Sequence, residues 1–210
     1  MEHLEQKIAQ SLLQIKAIKI QPANPFTWAS GWKSPIYCDN RKTLSYPEVR
    51  DFIKESFVQV VTEKFGKPDY IAGVATGAIA IGALVADALN LPFVYVRPKP
   101  KEHGLGNQIE GEISERKKVV VIEDLISTGK SSLNAIEALR NQNIEVLGMV
   151  AIFTYGFKIA EDNFKNANIP LATLSNYNQL IQFALKTGYI KESDIETLNQ
   201  WRDNPEVWGK

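Results

Sequence analysis

The sequence predicts an α/β protein whose mostly parallel sheet is flanked by helices, and three observations carry that expectation. From residue 48 onward, short apolar runs alternate with stretches of helical periodicity. The run Lys118-Val119-Val120-Val121-Ile122-Glu123 is a β-branched block of the kind found in strands buried on both faces. Of the 210 residues, 44% are hydrophobic and 23% charged, enough to bury a core within one domain covering 1–210. Strands that alternate with helices are joined by right-handed crossovers and lie parallel, so ligands are expected at their carboxyl ends.

The elements follow in order. Glu5, Lys7 and Lys16 mixed with apolar residues predict an amphipathic first helix and not an export signal. Residues 22–47, with Pro22, Pro25, Pro35 and Pro47, read as a small hood over the sheet edge. Helices are predicted over 48–65, 78–89 and 130–141, with another from 157. Strands are predicted over 70–74, 93–97, 118–123, 146–154 and 171–174. The chain thus divides into a hood part (1–47), a core (48–175) and C-terminal helices (176–210). A polar loop over 98–111, punctuated by Pro98, Pro100, Gly104, Gly106 and Gly111, is too long for a plain connection and reads as an active-site lid.

Composition excludes several classes. Lys plus Arg number 24, as do Asp plus Glu, so no global field would hold nucleic acid or an anionic membrane. The longest uncharged stretch, 70–86, falls short of the ~20 apolar residues of a membrane helix. The single cysteine, Cys38, has no internal disulfide partner, as expected of a reduced, cytoplasmic compartment; by itself it reads as a small packed side chain.

Chemistry concentrates in Val119-Val120-Val121-Ile122-Glu123-Asp124-Leu125-Ile126-Ser127-Thr128-Gly129-Lys130-Ser131. A buried strand delivers two adjacent carboxylates, and a hydroxyl-and-glycine turn then opens a helix. Such a turn aims backbone N–H groups and the positive end of a helix dipole at one point, a site for a phosphate. A Ser/Thr/Gly cluster also caps helices that bind nothing. Two acids at the end of an apolar strand favour the ligand site, because carboxylates there are costly unless something uses them. A nucleotide P-loop is excluded, since Asp124 stands where that pattern requires glycine.

This segment resembles the motif with which type I phosphoribosyltransferases bind phosphoribosyl pyrophosphate (PRPP). The resemblance implies that Glu123 and Asp124 hold the ribose hydroxyls, while Leu125, Ile126, Ser127, Thr128, Gly129, Lys130 and Ser131 wrap the 5′-phosphate. Ala75, Thr76 and Gly77 are similar to the family's small-residue pyrophosphate loop. Two further segments resemble the orotate phosphoribosyltransferases in particular. One is Arg97-Pro98-Lys99-Pro100-Lys101-Glu102-His103-Gly104, like their catalytic loop. The other is Ser30-Gly31-Trp32-Lys33-Ser34-Pro35-Ile36-Tyr37-Cys38, like their hood. By that resemblance Arg97, Lys99, Lys101 and His103 approach the pyrophosphate from a neighbouring subunit of a homodimer, and Lys33 touches the phosphate end of PRPP. Tyr37 and Cys38, with Ser127, then cradle orotate. Phe26 and Trp28 are expected in ordinary core.

Three places depart from the pattern of some members: Pro98 replaces a lysine after the loop arginine, Gly77 replaces a lysine, and Thr154-Tyr155-Gly156 replaces an arginine that reads the orotate carboxylate. Base recognition is therefore assigned to Ser127 and backbone N–H groups. The implied catalytic residues are Lys101, His103 and Asp124. Mg²⁺ is the implied cofactor, held mainly by PRPP oxygens and water with no dedicated protein cage. Two alternatives stay open on sequence alone: transfer to a purine or to uracil, and a PRPP-sensing regulator without catalysis.

Overall fold

The structure is a computed structural model that describes residues 2–99 and 108–209. Helix α1 (Glu2–Gln14) leads into a small projecting region of four short strands: β1 (Ile18–Ile20), β2 (Phe26–Thr27), β3 (Lys33–Ser34) and β4 (Ile36–Cys38). These form two antiparallel pairs, β1 with β4 and β2 with β3. The main sheet then alternates strand and helix: α2 (Pro47–Phe65), β5 (Tyr70–Val74), α3 (Ile79–Leu89), β6 (Phe93–Val96), β7 (Ile109–Glu110), β8 (Lys118–Ile126) and α4 (Lys130–Arg140). It ends with β9 (Glu145–Thr154), α5 (Lys158–Asn166), β10 (Leu171–Asn176), α6 (Tyr177–Lys186) and α7 (Ile195–Asp203).

The sheet order is β10-β9-β8-β5-β6-β7, parallel throughout except for the edge strand β7, which pairs antiparallel with β6. The Val-rich block explains this arrangement. Val120 and Ile122 join one apolar cluster with α1, α2, α3 and α6, while Val119 and Val121 join a second with α4 and α5. All four side chains are fully buried, so the strand needs apolar residues on both faces.

Two expectations about extent are corrected. β8 continues three residues beyond Glu123 because Leu125 and Ile126 keep pairing with Phe153 and Thr154 of β9. The acid pair therefore lies inside the strand. β10 runs two residues longer than expected, to Asn176, whose side chain accepts a hydrogen bond from the Gln179 N–H and caps α6.

The hood also sits elsewhere than expected. The Asn40 amide reaches the Asp124 carbonyl at 2.6 Å, which puts the hood over the carboxyl end of β8, third of six strands, and not over an edge. α1 packs on the sheet beside α6, burying Ile8, Ala9 and Leu12, and the Ser175 hydroxyl donates to the Glu5 carbonyl at 2.7 Å. The C-terminal segment turns back on the body: Trp208 packs against the main core, and a side chain at Gly209 would meet Lys33 Cβ at 3.1 Å.

Candidate active site

The carboxyl ends of β5 and β8 carry the site, as a parallel sheet predicts. Glu123 is buried, and both of its carboxylate oxygens are occupied: Oε1 accepts the Asp124 N–H at 3.0 Å and Oε2 the Ser132 hydroxyl at 2.9 Å. Burial holds its pKa well above the ordinary range, and the neighbouring Asp124 charge adds to the rise. Asp124, the next residue, is less enclosed. Burial raises its pKa as well, while hydrogen bonding and the Arg41 guanidinium pull the other way. The two acids are thus unequal: Glu123 is tied to the base of α4 through Ser132, and Asp124 is the more exposed of the two at the cavity that both line.

Beside them the turn opens α4. Gly129 caps the helix at φ +78°, a conformation that favours glycine, and a Cβ there would also come within 2.8 Å of the Phe164 ring. Among the described residues no side chain closes this helix end, and the first helical bond runs from the Leu133 N–H to the Gly129 carbonyl. The preceding N–H groups are thereby available to an anion. From α5, Asn163 donates to the Thr128 carbonyl at 3.1 Å and steadies the turn.

A cavity of about 300 Å³ gathers Ala75, Thr76, Gly77, Glu123, Asp124, Leu125, Ser127, Thr128, Gly129, Lys130 and Ser131, eleven residues assigned to PRPP from sequence. Ile126 is the exception in that turn. Its side chain is buried in the second core cluster, and its carbonyl accepts the Tyr155 N–H at 3.2 Å. Gly77 lies so close to the acid that a Cβ would fall 2.3 Å from an Asp124 carboxylate oxygen.

A second cavity, about 260 Å³, is walled by Thr27, Trp28, Ala29, Tyr37, Cys38, Leu125, Ser127 and Tyr155. It brings together all three residues assigned to orotate, and it shares Leu125 and Ser127 with the first cavity. Trp28 is a correction: it faces this cavity, its indole N–H donating to the Ile36 carbonyl at 3.0 Å, and is not merely core. Tyr155 was not found from sequence. It is fully buried at the end of β9 and stacks on Phe157 at 5.3 Å, so as an isolated residue it reads as core.

Of the cations assigned from sequence, Lys130 lines the first cavity and the other described ones stand apart. Lys33 donates to the hydroxyl of Thr27, a wall of the second cavity, at 2.8 Å and lines neither cavity itself. Arg97 pairs with Glu110 at 3.4 Å, and neither it nor Lys99 lines either cavity. Lys101 and His103 lie outside the described residues.

A Ser/Thr/Gly turn and an acid pair at the switch between β5 and β8 define the class of protein, a type I phosphoribosyltransferase. Residues 43–187 match the family described as Phosphoribosyl transferase domain. A Bacteroides thetaiotaomicron protein named orotate phosphoribosyltransferase is 65% identical over 208 residues, 99% of this chain and 98% of that one. The crystal structure of orotate phosphoribosyltransferase from Aeropyrum pernix aligns with a TM-score of 0.75 at 27% identity, covering 88% of this chain and 99% of that one. The Leishmania donovani UMP synthase aligns at 0.78 and 27% identity over 94% of this chain, which spans 42% of that longer protein. The chain belongs to the orotate phosphoribosyltransferase family.

Proposed function

We propose that this enzyme transfers the 5-phosphoribosyl group of PRPP to orotate, giving orotidine 5′-phosphate and pyrophosphate in pyrimidine biosynthesis. The observation that carries this reading is the pair of cavities joined at Leu125 and Ser127, one polar and one walled by aromatic side chains. A sugar phosphate held in the first points its reacting carbon toward a flat base in the second.

The turn around Ser127, Thr128 and Ser131 holds the 5′-phosphate, and Asp124 holds the ribose diol. Ala75, Thr76 and Gly77 receive the pyrophosphate. Tyr37, Cys38 and Ser127 orient the base, which aligns the nucleophile for attack as the bond to pyrophosphate breaks. Arg97, Lys99, Lys101 and His103 stabilise the departing anion, and His103 is suited to donate a proton to it.

Mg²⁺ fits this donor set. Glu123 spends both oxygens within the protein, and no group of three or more His, Cys, Asp or Glu side chains gathers among the described residues. A cation would meet chiefly Asp124 and substrate oxygens, and when bound would neutralise the leaving group. The whole chain, 1–210, acts as one cytoplasmic domain; no helix among the described residues is long and apolar enough to cross a membrane.

The test is direct. Protein, PRPP and Mg²⁺ are mixed with orotate, uracil or a purine, and the absorbance change is followed. Loss of orotate absorbance alone is expected; transfer to another base, or to none, would overturn the proposal. For the lid, we take the enzyme to be a homodimer in which Lys101 serves the partner's site. Mixing Lys101→Ala subunits with Asp124→Asn subunits should then restore activity that neither has alone, through hybrid dimers carrying one intact site. Absence of restoration would place the loop over its own subunit.

A further inference from the structure

The buried Asn40 side chain hydrogen-bonds the hood directly to the main chain of the acid pair. It is 1% exposed and lies 84 residues from its partner in sequence. Its Nδ2 donates to the Asp124 carbonyl at 2.6 Å, and its Oδ1 accepts the Cys38 thiol at 3.2 Å. On the other side of the same residue, the Asp124 N–H is held by the Glu123 carboxylate at 3.0 Å. Both hydrogen-bonding groups of the Asp124 main chain are therefore held by side chains, and its carboxylate is left facing Gly77. Cys38 in turn forms part of the wall of the base cavity.

We infer that Asn40 is a positioning residue: through one buried amide it sets the Asp124 carboxylate relative to the base cavity, so that the diol of PRPP and the ring of the base are held in register. A buried amide with both ends engaged has one favourable orientation, and removing either bond leaves a desolvated polar group behind. The thiol keeps its proton for the bond to Asn40, because burial, with Asp124 and Asp39 nearby, pushes the Cys38 pKa up. The inference rests on Asp124 holding the ribose diol, so Asp124→Asn is measured in parallel. An unchanged PRPP KM in that variant would sink the functional reading itself.

The informative variant is Asn40→Asp, which keeps the shape and exchanges the donor for a carboxyl. The titratable groups around its two partners are Cys38, Asp39 and Arg41 on its own segment, Asp124 with Glu123 behind it on β8, and Tyr155 just after β9. Ionised, the new carboxyl repels the Asp124 carbonyl, and the PRPP KM should rise roughly tenfold or more. Protonated, it donates to that carbonyl, so the defect relative to the unmodified enzyme should shrink as pH falls. In the reverse reaction the KM for pyrophosphate, which has no diol, should stay put. Should that variant fail to fold, Asn40→Ala removes the donor without adding charge, and the same split between the two KM values is expected. A PRPP KM equal to that of the unmodified enzyme, a pyrophosphate KM that rises in step, or an Asn40→Asp pH profile parallel to that of the unmodified enzyme would each overturn the inference.

Discussion

Gly77→Ala is expected to lower kcat/KM for PRPP by roughly 10- to 100-fold, the worth of one well-placed hydrogen bond to a charged group, while the thermal transition hardly moves. The new Cβ would lie 2.3, 2.4 and 2.6 Å from the three carboxylate atoms of Asp124, well inside contact distance. The Asp124 main chain cannot retreat, because its N–H and C=O are both held. The carboxylate must therefore rotate away from the cavity, and the diol loses its acceptor. The fold has little at stake, since the clash involves the end of one polar side chain. Steady-state rates over a range of PRPP concentrations check the first statement, and a melting curve the second. Retained kcat/KM would show that Asp124 does not act from the position described.

Trp201→Ala is expected to destabilise the protein by about 3–5 kcal/mol, the usual cost of deleting a buried large aromatic. Trp201 on α7 is fully buried and sits edge-on to Trp28, Tyr155 and Phe157 at 5.9, 5.5 and 5.3 Å, with Tyr177 at 6.1 Å. Trp28 and Tyr155 are also walls of the second cavity, the one proposed to take the base, so the KM for orotate should rise more than that for PRPP. The indole N–H of Trp201 is buried and finds no partner among the described residues, so Trp201→Phe should be much milder. Urea denaturation of the two variants measures the difference. Equal midpoints for Trp201→Ala and the unmodified protein would mean that the Trp201 packing described contributes little to stability.

The core was legible because its signals are local. The Val119–Ile122 run, the 3.6-residue periodicity of α2 and α4, and the Ser/Thr/Gly turn each announce themselves within about a dozen residues. The Ser/Thr/Gly turn is legible for the same reason: it is a contiguous strand–turn–helix segment, and eleven of its residues and those of the loop after β5 line one cavity. The hood was harder. Its strands are two or three residues long, too short for any periodicity to register, and their placement depends on Asn40 meeting a carbonyl contributed from far along the chain.

By itself, the amino-acid order determined the alternation of strand and helix, the parallel sheet, and the Ser/Thr/Gly turn with its acid pair, because hydrophobic period and turn chemistry are written in neighbouring residues. The tertiary structure alone decided that Glu123 is tied to Ser132 while Asp124 is the more exposed acid at the cavity they share, that Trp28 and Tyr155 wall the second cavity, and that α7 backs them. Those outcomes depend on which distant side chains meet when the sheet closes, and burial of one carboxylate beside another is a property of that meeting, not of either residue's identity.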